Sequence, residues 1–325
     1  MPSSASRCTG ECTPCQPIQC RADSAQSFGR AVVFSFAVRL LTERCSLLRS
    51  RYSGNALGEW YGNYIGENAS DRTPAHNQIQ TFHDKVYRSA FEYSQFVGEF
   101  MAELYEPSDW AKLFKRAGAK WAILTSKHHD GFELWPSPQA TSNFPQFGAG
   151  WNSAKLGPKR DLLGDLMTSL REEGLRAGFY HSLFEWYNPL YRGADPKSYV
   201  TEKLAPDLRD LVTRYLPDDI LVDGEWEQDS DFWETKQFLQ WLFNDSPVKD
   251  TVAVNDRWGK ETRGAHGGYF VCENGAYSTF CNGSYGGPAH PVSDHPWIYW
   301  ATTCPQVRSC LSRCRLPVHK VVSCI

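Results

Sequence analysis

Short apolar, β-prone runs recur along this chain, and each of them ends in polar residues. One run leads directly into Asp223, and another leads into His128 and His129. When strands alternate with helices, catalytic groups collect at the carboxyl ends of the parallel strands. The pattern therefore predicts that polar functional groups meet at one edge of a parallel sheet. We expect four of its strands to end near the following residues: Ser126, His181, Asp223 and Asn255.

The segments between these runs have helical periodicity. Asp161 is placed to cap a helix with Leu166 on its apolar face, and Gly174 is a natural stop for that helix. Apolar residues between Phe232 and Phe243 predict another helical face. Strands separated by helices imply a parallel sheet, because parallel neighbours need crossover connections. The long polar connections favour an α/β fold of the (β/α) TIM-type barrel class over a doubly wound sheet.

Length and composition agree with an enzyme domain and exclude several other classes. The chain has 325 residues, and one barrel typically needs about 250. The net charge of −3 and the absence of a basic stripe predict no nucleic-acid partner. The chain contains no run of 18 apolar residues, so no membrane span is expected. No Gly-x-Gly-x-x-Gly follows a strand, so a dinucleotide cofactor has no support.

The two ends of the chain differ from its middle. Residues 1–57 carry Cys8, Cys12, Cys15 and Cys20 in a Ser/Pro/Thr-rich setting. Cys12 and Cys15 have the spacing of a zinc knuckle, but all four cysteines lie too close together for paired knuckles, so we expect no metal site. We predict that this segment is poorly ordered and that it contains no signal peptide, because no cationic start leads into an apolar core.

We expect residues 58–304 to form the catalytic domain and residues 305–325 to be an atypical tail. Two glycosylation sequons, at Asn68 and Asn282, favour a secretory route.

Two carboxylates in the middle of the chain predict the chemistry. Asp223 ends a strand, and Gly224 after it leaves room for a ligand to approach. Glu273 follows an aromatic run fifty residues later and therefore belongs to a different barrel unit. A pair of carboxylates from different strands suits glycoside hydrolysis, in which one attacks and the other moves a proton.

A metal-dependent barrel hydrolase is the competing hypothesis from the residues alone. It requires His128, His181 and Asp223 to converge on one point. Two adjacent histidines on a strand point to opposite sides, so His128 and His129 are not expected to chelate one metal together.

Six motifs follow one another in a fixed order along the chain. They are Trp-Ala-Ile-Leu-Thr-Ser-Lys-His-His-Asp-Gly-Phe at 121–132, Trp-Pro-Ser-Pro at 135–138, Gly-Pro-Lys-Arg-Asp-Leu at 157–162, Gly-Phe-Tyr-His-Ser-Leu-Phe-Glu-Trp at 178–186, Leu-Val-Asp-Gly-Glu-Trp at 221–226 and Val-Asn-Asp-Arg-Trp-Gly at 254–259. In order and spacing they resemble the α-L-fucosidases of glycoside hydrolase family 29. The resemblance implies a (β/α) barrel followed by a β-sandwich. It also implies hydrolysis of terminal α-L-fucose with retained anomeric configuration, without metal or organic cofactor.

The resemblance also implies a role for individual residues. Asp223 matches the family's nucleophile, and Glu273 matches its acid/base. The residues that match substrate-binding positions are Glu59, Trp60, His128, His129, Tyr180, Trp226 and Arg257. The implied partners are fucosylated glycans of glycoproteins and glycolipids, with a homo-oligomer as the family's assembly. The implied location is the lysosome or the secreted fraction.

The chain departs from the family pattern at several places. The family's first-strand motif, Lys-Phe-Gly-Ile-Phe-Ile-His-Trp-Gly, has no counterpart before Gly58, and the resemblance stops after Cys304. Asn274 and Ile298 stand where relatives carry further acids. These departures predict a chain altered at both ends, with an atypical first strand, an incomplete barrel and no β-sandwich. The first alternative function is therefore an inactive fucose-binding relative.

Overall fold

Strands and helices alternate through the part of the chain that the computed structural model describes, namely residues 30–34, 60–66, 74–140, 150–273 and 297–300. The strands are β1 Arg30–Phe34, β2 Ala119–Lys127, β3 Arg176–Ser182, β4 Asp219–Asp223, β5 Ala253–Val254, β6 Phe270–Glu273 and β7 Trp297–Trp300. The α-helices are α1 Tyr61–Gly66, α2 Pro74–Tyr87, α3 Pro107–Arg116, α4 Leu162–Glu172, α5 Pro189–Arg192, α6 Lys197–Tyr199, α7 Ala205–Tyr215, α8 Ser230–Trp233 and α9 Thr235–Asn244. None of these described helices has the length and apolar character that a membrane crossing requires.

The first five strands form one parallel sheet in the order in which they occur along the chain. A doubly wound sheet reverses its strand order in the middle, whereas a (β/α) barrel keeps the chain order. The α/β fold with a parallel sheet is therefore confirmed. Strands β6 and β7 pair in a second parallel sheet. The backbone amides of Gly268 and Tyr269 donate to the carbonyl of Val254, the last residue of β5. Closure of the barrel stays a prediction.

The strand ends lie where the polar residues predicted them. Strands β2 to β5 end at Lys127, Ser182, Asp223 and Val254, each within one residue of the expected position. Because all four strands are parallel, these ends share one edge of the sheet. The prediction that polar groups meet there is confirmed.

The two faces of the sheet bury different groups of residues. Val222 packs in the large core on the helix-covered side, whereas its neighbour Leu221 packs with Ile123, Tyr180 and Tyr269 on the other side. Successive side chains of a strand point to opposite faces. The residue two places after Leu221 is therefore expected on the same interior face as Tyr180.

Strand β1 lies inside the segment for which we predicted poor order and an atypical or missing first strand. Residues 31–34 pair in parallel with 121–124 of β2, so a strand does occupy the first position of the sheet. The sequence Ala-Val-Val-Phe explains it, because β-branched and aromatic residues favour a pleated backbone. The clustered cysteines at 8–20 and the tail at 305–325 lie outside the described residues.

The apolar residues from Phe232 to Phe243 belong to two helices, α8 and α9, rather than to one continuous face. Glu234 separates the helices with a φ of +54°, in the left-handed region, which changes the direction of the chain. Phe243 is 44% exposed, although the pattern placed it on the buried face; within α9 the buried positions are Phe238 and Leu242.

Asp161 caps α4 as predicted. Its Oδ1 accepts a hydrogen bond of 2.9 Å from the backbone amide of Gly164. Its Oδ2 accepts a second bond of 2.8 Å from the hydroxyl of Tyr215 on α7. The cap therefore joins two neighbouring helices of the layer that covers the sheet.

Asp161→Ala is expected to lower the free energy of unfolding by about 1–2 kcal/mol, because both bonds are lost. Asp161→Asn is the matched control, since an amide oxygen still accepts from the Gly164 amide and should preserve most of the stability. Urea denaturation measures both variants. An alanine variant as stable as the parent chain would show that the cap does not stabilise the fold.

Candidate functional site

Asp223 lies at the end of β4, where it is 4% exposed and held by two donors. Its Oδ2 accepts a hydrogen bond of 2.9 Å from the hydroxyl of Tyr180 on β3. Its Oδ1 is ion-paired with the guanidinium of Arg257, which follows β5. The side chain of Asn255 exchanges two hydrogen bonds with the backbone of Val222, at 3.1 and 2.7 Å, and so fixes the Arg257 segment against β4. The position and orientation of the carboxylate are thus set by three neighbouring strands.

Gly224 is required for a different reason from the one predicted. Its φ of +93° lies in the left-handed region, and a Cβ there would be 2.6 Å from Cδ1 of Phe184. The ring of Phe184 therefore fills the space that we predicted for a ligand. The prediction was wrong because sequence shows that a side chain is absent but not which neighbour takes its place.

The rings of His128 and His129 lie side by side, with centroids 4.2 Å apart. The expectation that they point to opposite sides is wrong, because β2 ends at Lys127 and strand alternation does not extend to them. His129 stacks on Phe184 with centroids 4.4 Å apart, and His128 stacks along Tyr180 at 5.9 Å. Both rings therefore line the same side of the site as Tyr180, whose hydroxyl donates to Asp223.

The tautomer of His129 follows from its hydrogen bonds. The hydroxyl of Ser182 donates to the carbonyl of Phe184 at 2.6 Å, so it must accept at 2.6 Å from Nδ1 of His129. The neutral ring then carries a lone pair on Nε2, which is 3.9 Å from Oδ2 of Asp223. Two acceptors at this distance make no hydrogen bond with each other, and a hydroxyl group or a water can donate to them.

Burial keeps both imidazoles neutral. It lowers the pKa of His128 to about 4, against the opposing effect of Asp223. Burial also holds the pKa of His129 well below its ordinary value, helped by His128, Lys127 and Arg257. Neutral rings can accept as well as donate hydrogen bonds, which suits the recognition of hydroxyl groups.

The lowered pKa of His128 predicts a loss of stability in acid. Between its ordinary value of 6.5 and about 4, the unfolded chain binds a proton at this ring that the folded protein does not bind. The stability from neutral His128 is present above pH 6.5 and is lost as the pH falls towards 4. His128→Asn should therefore reduce the dependence of unfolding free energy on pH by about 1.4 kcal/mol per pH unit in that window. Urea denaturation across it, beside the parent chain, measures the difference; equal slopes would contradict the prediction.

Three tryptophans surround His129. The ring of Trp60 is 5.4 Å from His129, 5.2 Å from Trp186 and 6.3 Å from Trp226, between centroids. Trp226 is 37% exposed and lies 5.5 Å from His129, whereas Trp186 is almost fully buried. Together they form an aromatic wall that extends from the buried interior, at Trp186, to the protein surface, at Trp226.

Trp186 is a site residue to which the sequence analysis assigned no role. Its ring lies 5.8 Å from His128 and 5.6 Å from His129. Its indole Nε1 and Nδ1 of His128 are buried without a hydrogen-bond partner among the described residues. Its place shortly after β3 is the signal that could have identified it, since the other site residues also follow strands.

Glu225 is a second missed group. It is buried two residues after Asp223, and its Oε1 lies 3.0 Å from Nη1 of Arg263. Burial raises the pKa of Glu225 to about 7; Asp223 adds to this effect, and Arg257 and Arg263 oppose it. A carboxyl group that titrates near neutral pH therefore lies close to Asp223.

The side chains of two predicted site residues lie outside the described part of the structure. Glu59 lies outside the described residues, directly before Trp60. Glu273 is the last residue of β6, and its side chain lies outside the described part. The other predicted residues are brought together by the structure around Asp223.

The geometry that the metal hypothesis requires is not observed in the described part of the chain. His181 bonds to the hydroxyl of Ser126 at 2.9 Å and packs on Trp135, whereas its neighbour Tyr180 contacts Asp223. His128, His181 and Asp223 are not among the described groups whose ligand atoms lie within 4.8 Å of one another. Strand alternation between Tyr180 and His181 is the physical reason.

A fixed carboxylate beside neutral imidazoles at the carboxyl edge of a parallel sheet lies where α/β barrel enzymes place their active sites. The alpha-L-fucosidase family model matches residues 49–305. This chain therefore belongs to the alpha-L-fucosidase family.

Similar proteins come from distant organisms. The tissue alpha-L-fucosidase of Homo sapiens is 47% identical over 202 residues, which are 61% of this chain and 42% of that protein. The alpha-L-fucosidase of Dictyostelium discoideum is 41% identical over 227 residues, which are 68% of this chain and 47% of that protein. The chain thus spans less than half the length of these relatives.

Solved structures of the family are also similar to this chain. Thermotoga maritima alpha-fucosidase in complex with fucose has a TM-score of 0.54 and 31% identity, covering 74% of this chain and 54% of that one. The same enzyme with a mechanism-based inhibitor has a TM-score of 0.57 and 27% identity, covering 84% of this chain and 58% of that one.

Proposed function

We propose that this protein is a retaining α-L-fucosidase that removes terminal α-L-fucose from glycoproteins and glycolipids. The observation that carries the proposal is the carboxylate of Asp223, held by Tyr180 and Arg257 at the strand edge in a member of this family. The relative from Thermotoga maritima, which is described in complex with fucose, supports the choice of sugar.

Asp223 is the nucleophile in this proposal. The hydroxyl of Tyr180 and the guanidinium of Arg257 each occupy one lone-pair site, so other lone pairs of the carboxylate stay available for attack. One of them forms a bond to the anomeric carbon while the bond to the glycosidic oxygen breaks. Orientation by two donors keeps the attacking oxygen aligned and so lowers the entropic part of the barrier.

Glu273 is the acid/base, at the end of β6. It donates its proton to the departing glycosidic oxygen and then takes a proton from water, whose oxygen attacks the anomeric carbon and releases Asp223. Two displacements at the same carbon retain its configuration, and they require the two carboxyl groups to lie about 5 Å apart.

The remaining polar atoms of the site bind the sugar. Nε2 of His129 accepts from a hydroxyl group, and Nδ1 of His128 and Nε1 of Trp186 are buried atoms whose unmade hydrogen bonds a bound sugar can complete. Trp60 and Trp226 pack on the apolar face of the ring, and Glu59 binds further hydroxyl groups. No metal or organic cofactor takes part.

The organisation of the whole protein is also part of the proposal. Residues 58–304 form a partial (β/α) barrel domain, which agrees with the family match over 49–305. Residues 1–57 precede that domain in the chain, although strand β1 within them pairs with its sheet, and residues 305–325 follow it. The relatives described as tissue enzymes favour a lysosomal or secreted location.

Hydrolysis of 4-nitrophenyl α-L-fucoside, followed by proton NMR, tests the proposal. The expected result is release of nitrophenol with α-L-fucose as the first product, before mutarotation. If β-L-fucose appears first, the double displacement is wrong. If the chain binds L-fucose in calorimetry but releases no nitrophenol, it is instead an inactive fucose-binding relative, as the replaced acids at Asn274 and Ile298 allow.

A further inference from the structure

A buried ion pair lies directly behind the sugar pocket. Nζ of Lys127, the last residue of β2, is 2.7 Å from Oε1 of Glu185, and both side chains are fully buried. Lys127 also donates to the hydroxyl of Tyr199 at 2.9 Å, and Asn188 donates to Oε2 of Glu185 at 2.9 Å. Both charged groups of the pair therefore have further hydrogen-bond partners inside the protein.

The two partners are the immediate chain neighbours of pocket residues. Lys127 precedes His128 and His129, and Glu185 precedes Trp186. The backbone amide of Trp186 donates to the carbonyl of His129 at 2.7 Å, so the loops after β2 and β3 also touch directly. A shift of either charged side chain would move an imidazole or an indole of the pocket.

Stability alone does not explain this pair. Taking two charges out of water costs several kcal/mol each, and apolar residues of similar volume often stabilise a core as well or better. Such a pair does provide a fixed geometry, because each charged group is held by more than one contact: Lys127 by Glu185 and Tyr199, and Glu185 by Lys127 and Asn188. Burial alone raises the pKa of Glu185, but Lys127 and Lys203 reverse that effect and lower it to about 2, so Glu185 stays ionised.

A metal ion is not needed to balance the acids around this pair. Oxygens of Glu133, Glu185 and Asp207 lie within 4.8 Å of one another, which is close enough for a shared cation. The ammonium of Lys203 already contacts Asp207 at 2.8 Å and is ion-paired with Glu133. The ammonium of Lys127 is ion-paired with Glu185. Two lysines thus supply the positive charge that a cation would bring.

We propose that Lys127 and Glu185 are positioning residues of the sugar pocket, which hold the His128–His129 loop in register with the Trp186 loop and thereby set the affinity for L-fucose. The choice of L-fucose as the ligand rests on the proposed function, whereas the positioning role of the ion pair rests on the contacts described above. Neither residue touches the sugar, and both act through their chain neighbours.

Lys203 and Asp207 provide a matched control. This second ion pair is as deeply buried as the first, at 2.8 Å, and Asp207 also accepts from the hydroxyl of Ser137 at 2.8 Å. Its members do not precede a pocket residue. Oε1 of Glu185 also lies 3.8 Å from Nζ of Lys203, so Glu185→Gln and Asp207→Asn each remove a carboxylate from Lys203. Only Glu185→Gln also breaks the pair with Lys127, the chain neighbour of His128.

The experiment compares the two variants in the full chain by thermal unfolding, calorimetry with L-fucose, and NMR of the tryptophan indole groups. Both variants should melt several degrees below the parent, since each leaves a lysine poorly compensated. Glu185→Gln alone should weaken fucose binding by about 10-fold or more, because a displaced imidazole or indole loses a hydrogen bond to the sugar. It alone should also shift the indole signals of Trp60 and Trp186, whether or not sugar is present.

A double variant separates positioning from stability. Lys127→Met with Glu185→Leu removes both charges and should restore the melting temperature, because no unpaired charge is left. Under the proposal, weak fucose binding and the shifted indole signals persist. If affinity and indole signals return with the melting temperature, or if Asp207→Asn changes them equally, the pair is only structural. If the parent binds no L-fucose, the proposed function fails, while the indole signals still decide the positioning role.

Discussion

Asp223→Gly is expected to lower turnover of 4-nitrophenyl α-L-fucoside by about 10⁴-fold or more, because no covalent intermediate can form without the carboxylate. Added azide should restore part of the activity. The small anion fits the space that the carboxylate leaves and attacks the anomeric carbon from the same side, so the product is fucosyl azide of inverted configuration. The measurement is nitrophenol release with and without azide, with the product identified by NMR.

Asp219→Asn is the matched control for this substitution. Asp219 is buried at the opposite end of the same strand, where it accepts a hydrogen bond of 2.7 Å from the hydroxyl of Tyr269. Its replacement should leave turnover within a few-fold of the parent. Equal loss in the two variants would assign the effect to strand β4 as a whole, and an Asp223→Gly variant that keeps its activity would remove Asp223 from the mechanism.

Glu273→Ala is expected to slow substrates with poor leaving groups much more than substrates with good ones. A natural fucosyl glycan has a poor leaving group and should react about 10²–10⁴-fold more slowly, since general acid catalysis is typically worth that much. An activated aryl fucoside scarcely needs a proton donor, so its glycosylation step should change little. Steady-state rates on a fucosylated oligosaccharide and on 4-nitrophenyl α-L-fucoside measure the contrast, and azide should accelerate the aryl substrate by replacing water.

Glu225→Gln tests the competing acid beside Asp223. The pKa of Glu225, raised to about 7 by burial, is suitable for a proton donor, although the carboxyl is paired with Arg263. If Glu225→Gln shows the leaving-group dependence and Glu273→Ala slows both substrates equally, the proton donor is Glu225. If neither variant shows it, the double-displacement proposal lacks its acid.

Much of the sheet was predictable because its signals are local. A β-prone run that ends in Asp223 marks both a strand and its carboxyl end within a few residues, and the cap at Asp161 needs only a side-chain oxygen before an apolar helix. The register of β3 against β4, which places Tyr180 within hydrogen-bonding distance of Asp223, depends on residues 43 positions apart. Only the folded sheet brings them together.

The errors have physical causes of the same kind. His128 and His129 lie beyond the end of β2, so the alternation rule did not apply to them. The space at Gly224 is filled by Phe184, which comes from a different strand end. Glu225 and Trp186 follow strand ends as the other site residues do, but their significance depends on burial and on neighbours from elsewhere in the chain.

The sequence by itself determined the family, the alternation of strands and helices, and the strand end that carries Asp223, since these depend on short motifs and on hydrophobic periodicity. The tertiary structure decided which groups share the site: Tyr180 and Arg257 on the carboxylate, the tautomer of His129 through Ser182, and the Lys127–Glu185 pair behind the pocket. Hydrogen bonds and charge interactions act only over a few ångströms. Partners far apart in the chain therefore become identifiable only when packing sets the distances between them.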